Sequence, residues 1–199
     1  MAEATEQEDM SIKGMACKLL QQSLDLVQYL TDEQYTRDSV VMPGGTIGKH
    51  LRHANDHFRL LYKQCSIKSE NNNECTNPIN CIVDYDIRQR NNPSEIDRSI
   101  MMDDIKRLQT TIKQCKIPLE TDVTLLAAVD AADPNKYPFK TSYGRELFYS
   151  CIHAIHHYAS IKAICIEQGI LVPAEFGVAP STLQNDKNRV ANACSASSS

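Results

Sequence analysis

Apolar residues return at helical spacing in four long stretches, and that periodicity constrains the fold more than any other feature of the chain. Met15, Leu19, Leu20, Leu24, Leu26, Val27 and Leu30 mark the first, which begins at Ser11. VVMPGGT ends it, because Pro43, Gly44 and Gly45 interrupt any regular element. Thr46 then suits the N-cap of a second helix over 47–66. Ile47, Leu51, Ala54, Phe58 and Leu61 trace its apolar face; Lys49, Arg52, Asn55, Arg59 and Lys63 trace the opposite one. A third helix is expected over 94–116, with Ser94 and Asp97 as its capping pair. Ile96, Ile100, Ile105, Leu108 and Ile112 are its core candidates, and Pro118 ends it. Ser142 caps a fourth helix over 143–168, with Gly169 as the C-terminal stop.

Between the second and third helices, 67–93 is polar and turn-rich and reads as a long crossover loop. VTLLAAV, from Val123, is short enough to be a strand or a buried turn, and periodicity does not separate the two. The expected architecture is all-α, a four-helix bundle with one long crossover. The domain spans 11–182, between disordered tails over 1–10 and 183–199.

A chain of 199 residues can bury a sizeable single core. A net charge of −4 and no long basic run argue against a nucleic-acid partner. No apolar stretch reaches the roughly 18–20 residues of a membrane span, and MAEATEQEDM is acidic where a signal peptide is basic and apolar. The expectation is a soluble cytoplasmic protein. Cys17, Cys65, Cys115, Cys151 and Cys165 sit singly within helix-like segments, and Cys75 and Cys81 lack a CxxC spacing. Reduced, buried thiols are therefore expected.

All six histidines fall in two clusters, GKHLRHANDHF and FYSCIHAIHHYAS. His153 and His157 lie four apart on one helical face, a spacing that suits two imidazoles on one metal ion. His156 points away and is expected against a neighbouring helix or the surface. Glu146, Tyr149, Ser150 and Ser160 share the His153 face, a polar stripe that must find partners if buried. A third ligand would come from the other cluster, where helical phase favours His50 or His57 over the more lateral His53.

Taken together, PGGTIGKHLRHANDHFRLL and GRELFYSCIHAIHHYASIKA resemble the DinB/YfiT-like superfamily over about residues 11–182. LVPAEFGVAPST and YDIRQR resemble segments of an uncharacterised branch. The resemblance implies an up-down-down-up bundle with a three-histidine site for a divalent metal. It aligns His53, His153 and His157 with the ligands and leaves His50 and His57 in reserve. It also implies a hydrolase or a transferase using a low-molecular-weight thiol. Several relatives carry Arg-Gly-Gln after the last histidine, where this chain has Tyr158, Ala159 and Ser160.

On that reading zinc, nickel or iron is the expected ion, since imidazole donors suit all three. An open ion lowers the pKa of bound water to about 7 or activates a thiolate. Glu146 is the candidate general base, with His50 and His57 as candidates for proton transfer. Arg88 and Arg90 are candidates to clamp an anionic small-molecule substrate. Homodimerisation through an exposed helix face is compatible with such a bundle. The rival readings are a metal-stabilised bundle without catalysis and a helical interaction protein without metal.

Overall fold

A computed structural model describes residues 9, 11–65, 67–69, 72–76, 81–87, 91–130, 132 and 135–196. Their order is α1 (Ile12–Tyr29), α2 (Asp32–Thr36), α3 (Ile47–Cys65), β1 (Ile67–Ser69), β2 (Asn72–Thr76), β3 (Cys81–Asp84), α4 (Arg98–Gln114), β4 (Asp122–Ala127), β5 (Tyr137–Ser142), α5 (Tyr143–Glu167) and α6 (Pro180–Ala196). The four amphipathic stretches form α1, α3, α4 and α5. Each closes on a local cap: Ser11 Oγ accepts from the Gly14 amide at 3.1 Å, Thr46 Oγ1 from Lys49 at 3.1 Å, and Ser142 Oγ from Arg145 at 3.3 Å. Gly169, at φ +70°, ends α5 in the left-handed region that a side chain would resist.

The all-α expectation does not hold, because a three-stranded mixed sheet makes the fold mixed α/β. β3 pairs with β4 in parallel, with Val83 opposite Leu125. β4 pairs with β5 antiparallel, with Leu125 opposite Phe139. VTLLA, the first five residues of VTLLAAV, thus lies in the central strand, as its β-branched and aliphatic run allows. The region expected as a crossover loop contributes β3 and an antiparallel β1–β2 hairpin. β5 runs without a break into α5, Ser142 being both its last residue and the helix cap. Residues 180–196, mostly expected as a tail, form α6.

Helix α4 starts later than the apolar pattern predicts. Asp97 alone is its cap, accepting from the Ser99 and Ile100 amides at 2.8 and 3.1 Å. Ser94 lies instead in a 3-10 turn over Pro93–Glu95. Ile96 is therefore 71% exposed and Ile100 36%, while Ile105, Leu108 and Ile112 are buried.

The core lies where α1 packs on α4 and α3 on α5. Helix α3 is buried on both faces. Leu51, Ala54, Phe58 and Leu61 meet the core. The expected solvent face meets α4, with Asn55 and Asp56 also buried. Charge pairing permits this: Asp56 accepts from Arg52 Nη1 at 2.7 Å and Arg59 Nη2 at 2.6 Å. Arg52 Nε reaches Glu95 at 2.9 Å, so the buried carboxylate keeps charged partners.

Cys65 and Cys81 form a disulfide from the last residue of α3 to the first of β3, correcting the expectation of reduced thiols throughout. Only the paired strands β1 and β2 are described between them, and nothing in the sequence announces that the two cysteines are close. Cys17, Cys115, Cys151 and Cys165 are free and buried, as small apolar residues are. No described helix is long and apolar enough to cross a membrane.

Candidate metal centre

Five of the six histidines meet where α3 packs on α5. His53 and His57 stand one turn apart on α3, as do His153 and His157 on α5. His53 lies 5.0 Å from His153 and 4.7 Å from His157 between ring centroids. His57 stacks on His153 at 3.6 Å. The ligating atoms of His53, His57 and His153 all come within 4.8 Å of one another. His157 lies 4.6 Å from His153, but its Nδ1 is 2.9 Å from His50 Nδ1. One of those two nitrogens donates and the other accepts, so that pair is satisfied internally. His156 is exposed.

The structure thus places all three ligands implied by the resemblance, and both reserve histidines, in one cluster. Its most convergent donors are His53, His57 and His153. Helical phase alone pointed to His50 or His57 on α3, and His57 is the one that shares the His153 face.

Burial sets the charge state of the cluster. It pushes His153 down to about 3, with His57 and His53 adding repulsion. It pushes His157 down to about 4, with His153 and His50 contributing. Burial also lowers His57 and His50. Burial thus favours the neutral ring in all four, the form in which an imidazole nitrogen offers its lone pair to a cation. His57 Nδ1 faces the His53 carbonyl at 3.4 Å, which favours a proton on Nδ1 and a free lone pair on Nε2. His153 Nε2 is buried and has no hydrogen-bond partner among the described residues. A buried orphan nitrogen in a convergent set of imidazoles calls for an electron-pair acceptor, so the residues present fit a divalent ion.

Above the histidines lies a cavity of about 460 Å³, walled by Tyr85, Asp86, Tyr149, Arg145, the β4 residues Leu125–Ala127 and Ala128 just beyond them. Tyr85 stacks on His57 at 4.7 Å with the rings 17° apart. Its hydroxyl donates to Glu146 Oε2 at 3.0 Å. Glu146 is fully buried, and its other oxygen accepts from Thr141 Oγ1 at 2.8 Å and Arg145 Nη1 at 2.9 Å. Three donors hold this carboxylate and join β5, α5 and the turn after β3. It supports the wall through Tyr85 and touches no imidazole by hydrogen bond. The Arg145 guanidinium also lies over the Tyr149 ring at 5.2 Å. Ser150 Oγ, on the same polar stripe, donates to the Glu146 carbonyl at 3.0 Å.

Tyr85 and Thr141 escaped the sequence reading. They come from a turn and a strand end, where no helical period flags them; Tyr149 had a signal, its place on the His153 stripe. Arg88 and Arg90 lie outside the described residues.

No family model matches the chain, and no solved structure matches it. The chain is 44% identical over 177 residues to FK506-binding protein 5 of Rhizopus delemar. The aligned region covers 87% of this chain and 38% of that protein, so the chain spans well under half the length of the relative it matches. The similarity overturns the DinB/YfiT-like assignment. With the family go the readings that rested on it, a metal-dependent hydrolase or thiol-dependent transferase and its helical-bundle alternatives. The paired histidine motifs misled because HxxxH records only that two imidazoles share a helical face, and many unrelated chains satisfy it.

Proposed function

We propose that this chain is a ligand-binding domain whose site is the histidine-floored cavity, with a divalent cation on His53, His57 and His153. The observation that carries the reading is the buried, unpartnered Nε2 of His153 among neutral imidazoles. A divalent ion there supplies a point of positive charge with coordination positions left over for a ligand's oxygen or nitrogen. The chain's own residues do the remaining work. Tyr85 and Tyr149 offer aromatic faces, Leu125 and Leu126 apolar contact, and Arg145 hydrogen-bond donors at the rim. This combination suits an amphipathic small molecule with a polar group directed at the histidines.

The relative's name speaks of FK506 binding by that protein. What we carry to this chain is the class of act, binding of a small organic ligand. The test begins with elemental analysis of tag-free protein, reconstituted in turn with zinc, nickel and iron(II). Titration with FK506 and a proline-peptide isomerisation assay then follow, with and without metal. About one equivalent of metal per chain, lost in folded His53→Ala/His57→Ala/His153→Ala protein, supports the reading. Folded wild-type protein that retains no metal under any of these conditions refutes it.

A further inference from the structure

A second cavity, of about 440 Å³, lies on the other side of α3, between it and α4. Its size falls within the range of small-molecule sites. Tyr62, Met101 and Leu108 supply apolar lining. Asn55 reaches it from α3 and is only 6% exposed. The Asn55 Nδ2 donates to the Met101 sulfur at 3.2 Å. A thioether can only accept, which fixes the orientation of the amide. Asn55 Oδ1 is consequently the buried atom without a partner among the described residues. A buried carbonyl oxygen in that state has given up its hydrogen bonds to water without replacement and calls for a donor.

The cavity also carries an excess of positive charge. Arg52, Arg59, Lys63 and Arg107 line it, against Asp56 and Asp104. Asp56 is already held by Arg52 and Arg59, and Asp104 pairs with Arg107. Arg59 and Lys63 stand one turn apart on α3, and Arg107 and Thr111 one turn apart on α4. Arg52 and Arg59, paired with Asp56 and Glu95, flank the Asn55 acceptor, while Lys63, two turns further along α3, and Arg107 on α4 place cations beyond the apolar floor.

We infer that this groove is a separate binding site for a small N-acyl amino carboxylate: an N–H for Asn55 Oδ1, an apolar body for Met101 and Leu108, and a carboxylate for Lys63 and Arg107. The site shares α3 with the histidine cluster but none of its imidazoles, so it stands or falls without the metal. 6-Acetamidohexanoate, whose five methylenes separate the N–H from the carboxylate as the eight positions from Asn55 to Lys63 require, is the probe. It is titrated into ¹⁵N-labelled protein, with hexanoate, which lacks the N–H, as the comparison. The expected result is saturable shifts at the Asn55 side-chain amide and at the Lys63 and Arg107 backbone amides, with a Kd below about 1 mM. Hexanoate should bind several-fold more weakly. Lys63→Glu/Arg107→Glu, both at the exposed rim, should raise the Kd at least about tenfold; Lys63→Ala serves if the double variant does not give the native spectrum. Absence of saturation, shifts confined to other surfaces, or an unchanged Kd in a folded variant overturns the inference.

Discussion

Replacing the clustered histidines one at a time tests the proposed metal site ligand by ligand. Structural zinc sites with four protein ligands bind with roughly 10–16 kcal/mol, or about 3 kcal/mol per ligand. Three imidazoles then give about 9 kcal/mol, a Kd in the sub-micromolar range. Removing one should raise the Kd by at least about a hundredfold. His53→Ala, His57→Ala and His153→Ala should each show that loss, because their donor atoms converge within 4.8 Å. His157→Ala and His50→Ala should cost about tenfold or less, since those two nitrogens face each other at 2.9 Å and support the site from outside. The assay is isothermal titration of zinc into metal-free protein, with circular dichroism to confirm that each variant folds. A hundredfold loss in folded His157→Ala beside a small effect in His57→Ala would refute the reasoning and make His157 the third ligand.

Further outcomes follow from the wall, the charge state and the cross-link. Glu146→Ala should destabilise the protein by about 3 kcal/mol, because it strips a buried acceptor from Tyr85, Thr141 and Arg145; Glu146→Gln should cost clearly less in urea denaturation. His153 and His157 have folded-state pKa values of about 3 and about 4, below the ordinary 6.5. Their contribution to the metal-free protein is therefore complete above pH 6.5 and lost as pH falls through 6.5 toward 4 and 3, where the unfolded chain binds the extra protons. Denaturation midpoints of metal-free protein should fall between pH 7 and pH 4.5, and a His153→Ala/His157→Ala variant should show a shallower fall; equal slopes would contradict this. Reducing Cys65–Cys81, which closes a loop of sequence separation 16, should lower stability by about 3 kcal/mol, measured as a shift in the thermal midpoint that Cys65→Ser/Cys81→Ser reproduces.

The long helices were legible because each carries enough turns for an apolar face to declare its period, and because Thr46, Ser142 and Gly169 mark ends by local chemistry. The sheet was not legible. β3 is four residues long, and β4 has the same apolar run as a buried turn would; only pairing across distant segments makes them strands. The onset of α4 was misplaced because Ser94 and Asp97 are both competent caps, and Pro93 with Asn92 settles the choice through the 3-10 turn. The far face of α3 reads as solvated because Arg52, Asn55 and Arg59 are polar, yet mutual pairing lets it pack against α4. Within the cluster, helical phase orders residues around one axis but carries no information on how α3 and α5 cross. The division of labour between His57 and His157 is therefore a tertiary property. Tyr85 reaches the site from a turn after β3, and no repeat in the chain announces it.

Because α3 is covered on both sides, twelve of its nineteen residues are buried, and it has no broad face on which substitutions should be neutral. A saturation scan should therefore find intolerance around its whole circumference, broken at outward positions such as Lys49 and Lys63. Its central amides should also be among the last to exchange with deuterated solvent, opening only with the global transition. α6, whose described side chains are mostly exposed, should exchange early. The same helix that is hardest to alter supplies His53 and His57 to one cavity and Asn55 to the other. Evolution of ligand preference in this domain is thereby pushed onto its neighbours: the β4 end and the Tyr85 turn on one side, and α4 on the other.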